Sequence, residues 1–337
     1  MLDRVKTISD LSMYVGCPEE RIVKLVPAEH YVTFEIPKPG KQEKRTIEAP
    51  TGILMEILER LCDGLQRIYS SHRTPVAHGF IRAAVNDPDK RTIFSNASRH
   101  LHKKYLLNID LDNFFYQITE NRVREILRDD RFFAFNPETA ALIASLVVLH
   151  GRLPMGSPTS PPLSNFATYD LDYELLRWCG SQQITFTRFV DDLSFSANFK
   201  LMPVHFDTIN DMLKMHRLQA DPEKTKWYGP EDTKEVTGLM VADKISLPEE
   251  YLTALEKEII HMNGIRKYAK LFPDYRVFDW IRKIDRVIDG KLNFVREVYG
   301  GEHEIYRKLN RLAHDPGAES EELQSISWKY AGYEYFA

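Results

Sequence analysis

The chain has 337 residues, 45 Lys and Arg against 49 Asp and Glu, a net charge of −4 and 43% hydrophobic residues. This is the composition of a globular protein, and at roughly 150 residues per domain the length suits about two folded units. No apolar run approaches the roughly 18 residues of a membrane span. The start, Met1-Leu2-Asp3-Arg4, lacks the apolar core of a signal peptide. Cys17, Cys62 and Cys179 lie far apart without ligand spacing, which argues against a disulfide framework or a cysteine zinc site and fits a reducing cytoplasm.

The spacing of apolar residues predicts two short helices over 8–26, either side of a Gly16-Cys17-Pro18 break. Segments 30–38 and 44–49 carry β-branched and aromatic residues flanking Pro39-Gly40, a hairpin signal. Ile53, Leu54, Ile57, Leu58, Leu61, Leu65 and Ile68 recur at steps of three and four, the stripe of an amphipathic helix. Residues 105–111 (YLLNIDL) read as a buried strand. Helices are expected over 138–149 and 163–178, the second entered through Pro161-Pro162. Strands over 184–190 and 193–197 meet at Asp191-Asp192, and 235–241 with 244–247 form another hairpin. Beyond Pro248 the pattern is helical only, over 249–262, 277–288 and 303–312. Mixed strands and helices followed by helices alone give an α+β core with a helical C-terminal unit.

Asp110 falls at a strand end and Asp191-Asp192 at a hairpin tip, where carboxylates sit on rigid scaffolding. Three converging carboxylates repel one another, and two divalent ions about 4 Å apart relieve that repulsion while activating one oxygen and stabilising the leaving one in phosphoryl transfer. Asp-Asp alone is a common turn dipeptide, and Asp129-Asp130 is read as one; context separates the two cases. The context is Asn108-Ile109-Asp110-Leu111-Asp112-Asn113-Phe114-Phe115, then the small-residue loop Leu153-Pro154-Met155-Gly156-Ser157-Pro158, then Phe189-Val190-Asp191-Asp192-Leu193.

In this order and spacing the three segments resemble motifs A, B and C of reverse transcriptases. Asn96-Ala97-Ser98-Arg99-His100 and Val236-Thr237-Gly238 resemble two motifs of the bacterial retron branch. His78-Gly79-Phe80 and Arg45-Thr46-Ile47 with Pro50 are similar to that branch as well. Two departures stand out: Phe189 replaces the usual Tyr of Tyr-x-Asp-Asp, and Met155 replaces the Gln of Leu-Pro-Gln-Gly, which puts the nucleotide pocket rather than the reaction in question.

The resemblance implies a right-hand polymerase: an N-terminal helical segment (1–29), fingers (30–104), a palm with the catalytic aspartates (105–248) and a helical thumb (249–337). It implies that Asp110, Leu111, Asp191 and Asp192 hold two Mg²⁺ ions, with Mn²⁺ as an alternative. Arg45, Phe115, Met155, Gly156 and Lys224 would meet the incoming nucleotide, Arg45 clamping the triphosphate as a bidentate guanidinium. Phe115 reads equally as a wall against a ribose 2′-OH or as a core residue, and Lys224 as a phosphate-directed or a solvated lysine. Asn96, His100, Val236, Thr237 and Gly238 are candidates for RNA contact; a capping Asn, a buried hydrogen-bonded His and an ordinary strand ending at a Gly turn are the alternatives. Arg266, Lys267, Lys270, Arg276, Arg282, Lys283, Arg286, Lys291 and Arg296, interleaved with aromatic residues, suit a thumb lying along a duplex backbone. The implied activity is copying part of a cognate noncoding RNA (msr-msd type) from dNTPs into branched RNA–DNA. Priming from an RNA 2′-OH and an adjacent-gene effector in antiphage defence belong to the same implication. Another bacterial reverse transcriptase, or an RNA-binding scaffold without catalysis, are the competing readings. The presence of all three aspartates argues against the scaffold.

Overall fold

The N-terminal stretch forms two short helices, Ile8–Val15 and Glu19–Val23. Thr7 and Asp10 exchange the reciprocal bonds of a capping box, and Gly16 ends the first helix in the left-handed region. The computed structural model describes residues 1–37, 44–83, 86–271 and 275–314, without the side chains of 270, 271, 275 and 276. The turn expected at Pro39-Gly40 and the side chains of Lys270 and Arg276 lie outside the described residues.

Strands β1 (Tyr31–Pro37) and β2 (Lys44–Pro50) pair antiparallel with Ile36 opposite Arg45. The helix Gly52–His72 follows, burying Leu54, Ile57, Leu58, Leu61 and Leu65 on the face that the apolar spacing marks. The central sheet takes β3 (Tyr105–Leu111), β4 (Thr185–Phe189), β5 (Asp192–Ala197) and β6 (Ala220–Tyr228) in the order β4-β5-β3-β6, all neighbours antiparallel. Strand β6 and the helix Pro203–Met215 are absent from the sequence expectations. With Pro222 and mostly exposed residues, β6 lacks the alternation of a half-buried strand, and it occupies the sheet edge where proline is tolerated. The helix expected over 163–178 divides into Ser160–Ala167 and Tyr169–Ser181. At the break Thr168 donates its hydroxyl to the Ser164 carbonyl, the back-bond that bends helices.

One apolar cluster runs from Leu2 to Leu218, joining the N-terminal helices, the long helix and the underside of the sheet. Contacts divide the chain into Met1–Thr237 and Gly238–Ala337. The first unit ends with the short strand β7 (Glu235–Val236). The second opens on the hairpin β8 (Leu239–Val241) and β9 (Ile245–Ser246). Its helices Glu249–Leu271, Tyr275–Tyr299 and Glu304–His314 pack on one another around Leu255, Ile259, Ile288, Leu292, Val295 and Leu309. The first two helices run longer than the expected spans. Among the described residues no helix is long and apolar enough to cross a membrane.

Candidate active site

The register of the sheet brings the aspartates together. Asp110, near the end of β3, stands opposite Asp192, the first residue of β5. The Leu111 amide donates to the Asp191 carbonyl at 3.0 Å, tying the end of β3 to the hairpin tip. The Leu111 side chain is buried, so this residue can offer a cation only its backbone carbonyl. On the other side of β3, Asp221 of β6 faces Asp110. Lys224 reaches back across the edge, 2.7 Å from Asp110 Oδ1 and 3.1 Å from Asp221 Oδ2.

Burial, then the charges of Asp191 and Asp110, push the Asp192 carboxyl up to about 7. Asp191 is raised as well, by burial first and then by Asp110. Lys224 is raised: burial opposes its charge, but its bonds to Asp110 and Asp221 outweigh that. Burial and mutual repulsion thus disfavour the charged form of both carboxyls. Among the described residues no three potential ligands close on a single point. The Asp110 carboxylate is turned toward the Lys224 ammonium instead.

A second wall faces the aspartates. Arg45 is exposed on β2, near enough for its charge to oppose the rise at Asp191. The Glu48 amide donates to the Met155 carbonyl at 2.6 Å. The Glu48 carboxylate accepts both terminal nitrogens of Arg152 at 2.8 and 2.9 Å, and the same guanidinium lies 3.5 Å over the Tyr116 ring. Gly156, with φ +129, lets the loop lie on β2; a Cβ there would stand 2.8 Å from the Glu48 carbonyl oxygen. The expected nucleotide residues Arg45, Met155 and Gly156 are thus fastened to one clamp, whose Glu48 and Arg152 no sequence signal marks. Phe115 is partly buried against the core and stacks on Phe80 with ring centroids 6.4 Å apart.

The other sequence candidates lie deeper. His100 is buried, its Nδ1 hydrogen-bonded to Ser196 Oγ and its Nε2 to Thr187 Oγ1, both at 2.7 Å. Of its two readings, this is the buried, hydrogen-bonded one. Asn96 is fully buried and its amide nitrogen and oxygen lack partners. It does not cap the helix Ile93–Ser98; Thr92 does, with Ser95 reciprocating. Val236 is buried, the Thr237 hydroxyl is buried without a partner, and Gly238 has φ +80 with open space around a would-be Cβ. In the second unit Arg282 and Lys283 are exposed beside Asp279, while Lys291 is bound to Glu258. Arg266 is committed to Asp285, Asn263 and the Ala313 carbonyl, an internal tie rather than a free charge.

Sequence reasoning missed a fully buried ion pair directly beneath the aspartate hairpin, Arg188 with Asp172. Arg188 lies three residues before Asp191, but its partners come from distant segments, so spacing carries no signal of them.

A profile of the family described as "Reverse transcriptase (RNA-dependent DNA polymerase)" matches residues 36–242. The chain belongs to that family, and its activity is RNA-directed DNA synthesis. It is similar to retron reverse transcriptases. Identity to the retron Ec86 enzyme of Escherichia coli is 27% over 239 residues, covering 69% of this chain and 70% of that one. Identity to the retron Ec83 enzyme of Escherichia coli is 27% over 279 residues, covering 74% and 85%. The retron Mx65 enzyme of Myxococcus xanthus is 26% identical over 295 residues, covering 75% and 62%. Among solved structures, telomerase from Candida albicans with a fragment of telomeric RNA matches with a TM-score of 0.50 at 11% identity, over 95% of this chain and 69% of that chain. At that identity the likeness speaks for the fold, the right-hand polymerase.

Proposed function

We infer that this protein is a retron reverse transcriptase that copies part of a cognate structured RNA, of the msr-msd type, into single-stranded DNA. A 2′-OH of that RNA would prime synthesis, leaving a branched RNA–DNA product, and an adjacent-gene effector would complete an antiphage system. The observation that carries the chemistry is the register of Asp110 opposite Asp192, with the Asp191 carbonyl locked to Leu111.

The donor set fits hard divalent cations. Carboxylate oxygens and one backbone carbonyl suit Mg²⁺ or Mn²⁺, and carboxyls raised by burial and then by one another's charge gain most from a cation. Asp110, Asp191, Asp192 and the Leu111 carbonyl would hold two ions, which supply Lewis-acid activation of the attacking hydroxyl and stabilise the leaving oxygen. Arg45 would meet the triphosphate of the dNTP beside the Met155-Gly156 loop. Phe115 would stand against the sugar, and Lys224, freed from Asp110, would face the leaving pyrophosphate. The segments 30–104, 105–248 and 249–337 would serve as fingers, palm and thumb, with Arg282 and Lys283 contacting phosphates.

Primer extension tests the chemistry. Asp191→Asn should abolish DNA synthesis at parental melting temperature, because a ligand charge is lost and no core packing changes; full activity in that variant would remove the assignment. Nucleic acid that co-purifies with the protein, digested separately with RNase and DNase and sequenced, tests the substrate. A product of DNA alone, without a linked RNA, would rule out the retron reading.

A further inference from the structure

The catalytic hairpin has an unusual backbone. Val190, immediately before Asp191, has φ +62, a region that β-branched residues avoid. What holds it there lies underneath. The Arg188 guanidinium, fully buried, donates from one terminal nitrogen to the Val190 carbonyl and to Asn165 Oδ1, each at 3.1 Å. Its remaining nitrogens grip both oxygens of Asp172 at 2.7 and 2.8 Å, and Thr74 completes the carboxylate at 2.7 Å.

The same group reaches a second feature. Asn165 turns its amide nitrogen toward the Gly79 carbonyl at 3.1 Å and the Phe80 carbonyl at 3.5 Å. The segment 78–80 is laced to β4, with the His78 amide donating to the Arg188 carbonyl at 2.8 Å. Only glycine fits at 79, because a Cβ would lie 2.6 Å from Val190 Cγ2 and 2.8 Å from its amide nitrogen. Phe80 then projects, half exposed and with φ +55, to stack on Phe115. A continuous path therefore joins the aspartate hairpin, Arg188, Asn165, Phe80 and Phe115.

A buried ion pair is a weak source of stability, since well-packed apolar residues of like volume often match or exceed it. A planar guanidinium does offer fixed directions, which an ammonium does not. We propose that Arg188, Asp172 and Asn165 form one positioning unit, which sets the catalytic hairpin and the Phe80–Phe115 platform together and so couples the rate of synthesis to the choice of deoxyribose over ribose. This rests on the reading of Asp191, Asp192 and Phe115 given above. None of the three residues touches substrate; each acts through the hairpin or the platform.

The test uses the full chain on one primer–template, with a dNTP, its ribonucleotide counterpart and a Mg²⁺ titration. Arg188→Lys keeps the charge and loses the fork; Asn165→Asp keeps the acceptor and loses the amide donor. Arg188→Lys should lower kcat at least tenfold and raise the Mg²⁺ needed for half activity, with KM for the dNTP changing less than threefold. Asn165→Asp should raise the ratio of ribonucleotide to deoxyribonucleotide incorporation at least tenfold. If Arg188→Lys fails to fold, Arg188→Met with Asp172→Leu, which removes both charges and keeps the volume, carries the same expectation; if neither folds, the Asn165 result decides. Lower melting with unchanged sugar ratio and unchanged Mg²⁺ requirement would mean a merely structural pair, and overturns the proposal. Phe115→Val and Asp191→Asn separate the two levels. If Phe115→Val relaxes sugar choice and Asn165→Asp does not, the coupling alone fails. If Phe115→Val changes nothing, or Asp191→Asn stays active, the reading of the site fails and the proposal with it.

Discussion

Replacing His100 by alanine tests whether its motif serves the fold or the RNA. The imidazole bridges Thr187 on β4 to Ser196 on β5, next to the strands that carry the aspartate hairpin. His100→Ala leaves two buried hydroxyls without partners, at about 1–3 kcal/mol each. The lost packing of a buried ring adds to this. A loss of at least ~3 kcal/mol lowers the melting temperature by roughly 6–12 °C, at about 2–4 °C per kcal/mol for a unit of this size. Thermal denaturation followed by circular dichroism gives the shift. Primer extension on an artificial template and on the co-purifying RNA, both below the melting transition, gives the function. Melting should fall and the two activities should decline in proportion. Parental melting with selective loss of synthesis on the cognate RNA would refute the reasoning and make the ring an RNA contact.

Acid should weaken the first unit through its buried histidines. Burial holds His100, and likewise His78, down to about 3, so between pH 6.5 and 3 the unfolded chain binds protons that the folded chain refuses. The stability these groups contribute is complete above pH 6.5 and falls as pH drops, by about 1.4 kcal/mol per pH unit for each group. Asp192, pushed up to about 7, acts with opposite sign, its contribution present at low pH and lost as pH rises through 7. The measurement is therefore differential: urea denaturation from pH 5 to 6.5 should show a shallower acid loss in His100→Gln than in the parent, and equal slopes would refute it. Gly156→Ala should push the loop off β2, raising KM for dNTPs and lowering melting by a few degrees. Parental values for both would show that the loop gives way freely.

The aspartate hairpin was legible because turn chemistry, strand patterning and order along the chain converge on Asp110 and Asp191-Asp192. The hairpin of β1 and β2 and the stripe of Gly52–His72 were legible for the same reason, since one periodicity governs each element. Strand β6 escaped because its stability comes from pairing with β3 rather than from its own apolar residues. The long helices of the second unit were cut short where charged residues interrupt the stripe but the backbone continues. Arg188 was readable only as part of a strand: Thr74 lies 98 residues from Asp172, and Asn165 is 23 residues from Arg188, so folding alone introduces them. Asn96 and His100 were visible as a pattern, but a pattern does not distinguish a buried bridge from an exposed contact.

Met155 meets β2 through its main-chain carbonyl, and the clamp beside it is made by Glu48 and Arg152. That hydrogen bond does not depend on the thioether. A change of side chain at 155 should therefore leave that hydrogen bond in place, so that an effect on copying accuracy can be read apart from an effect on the scaffold. A saturation library at this position should spread widely in misincorporation and hardly at all in thermal stability.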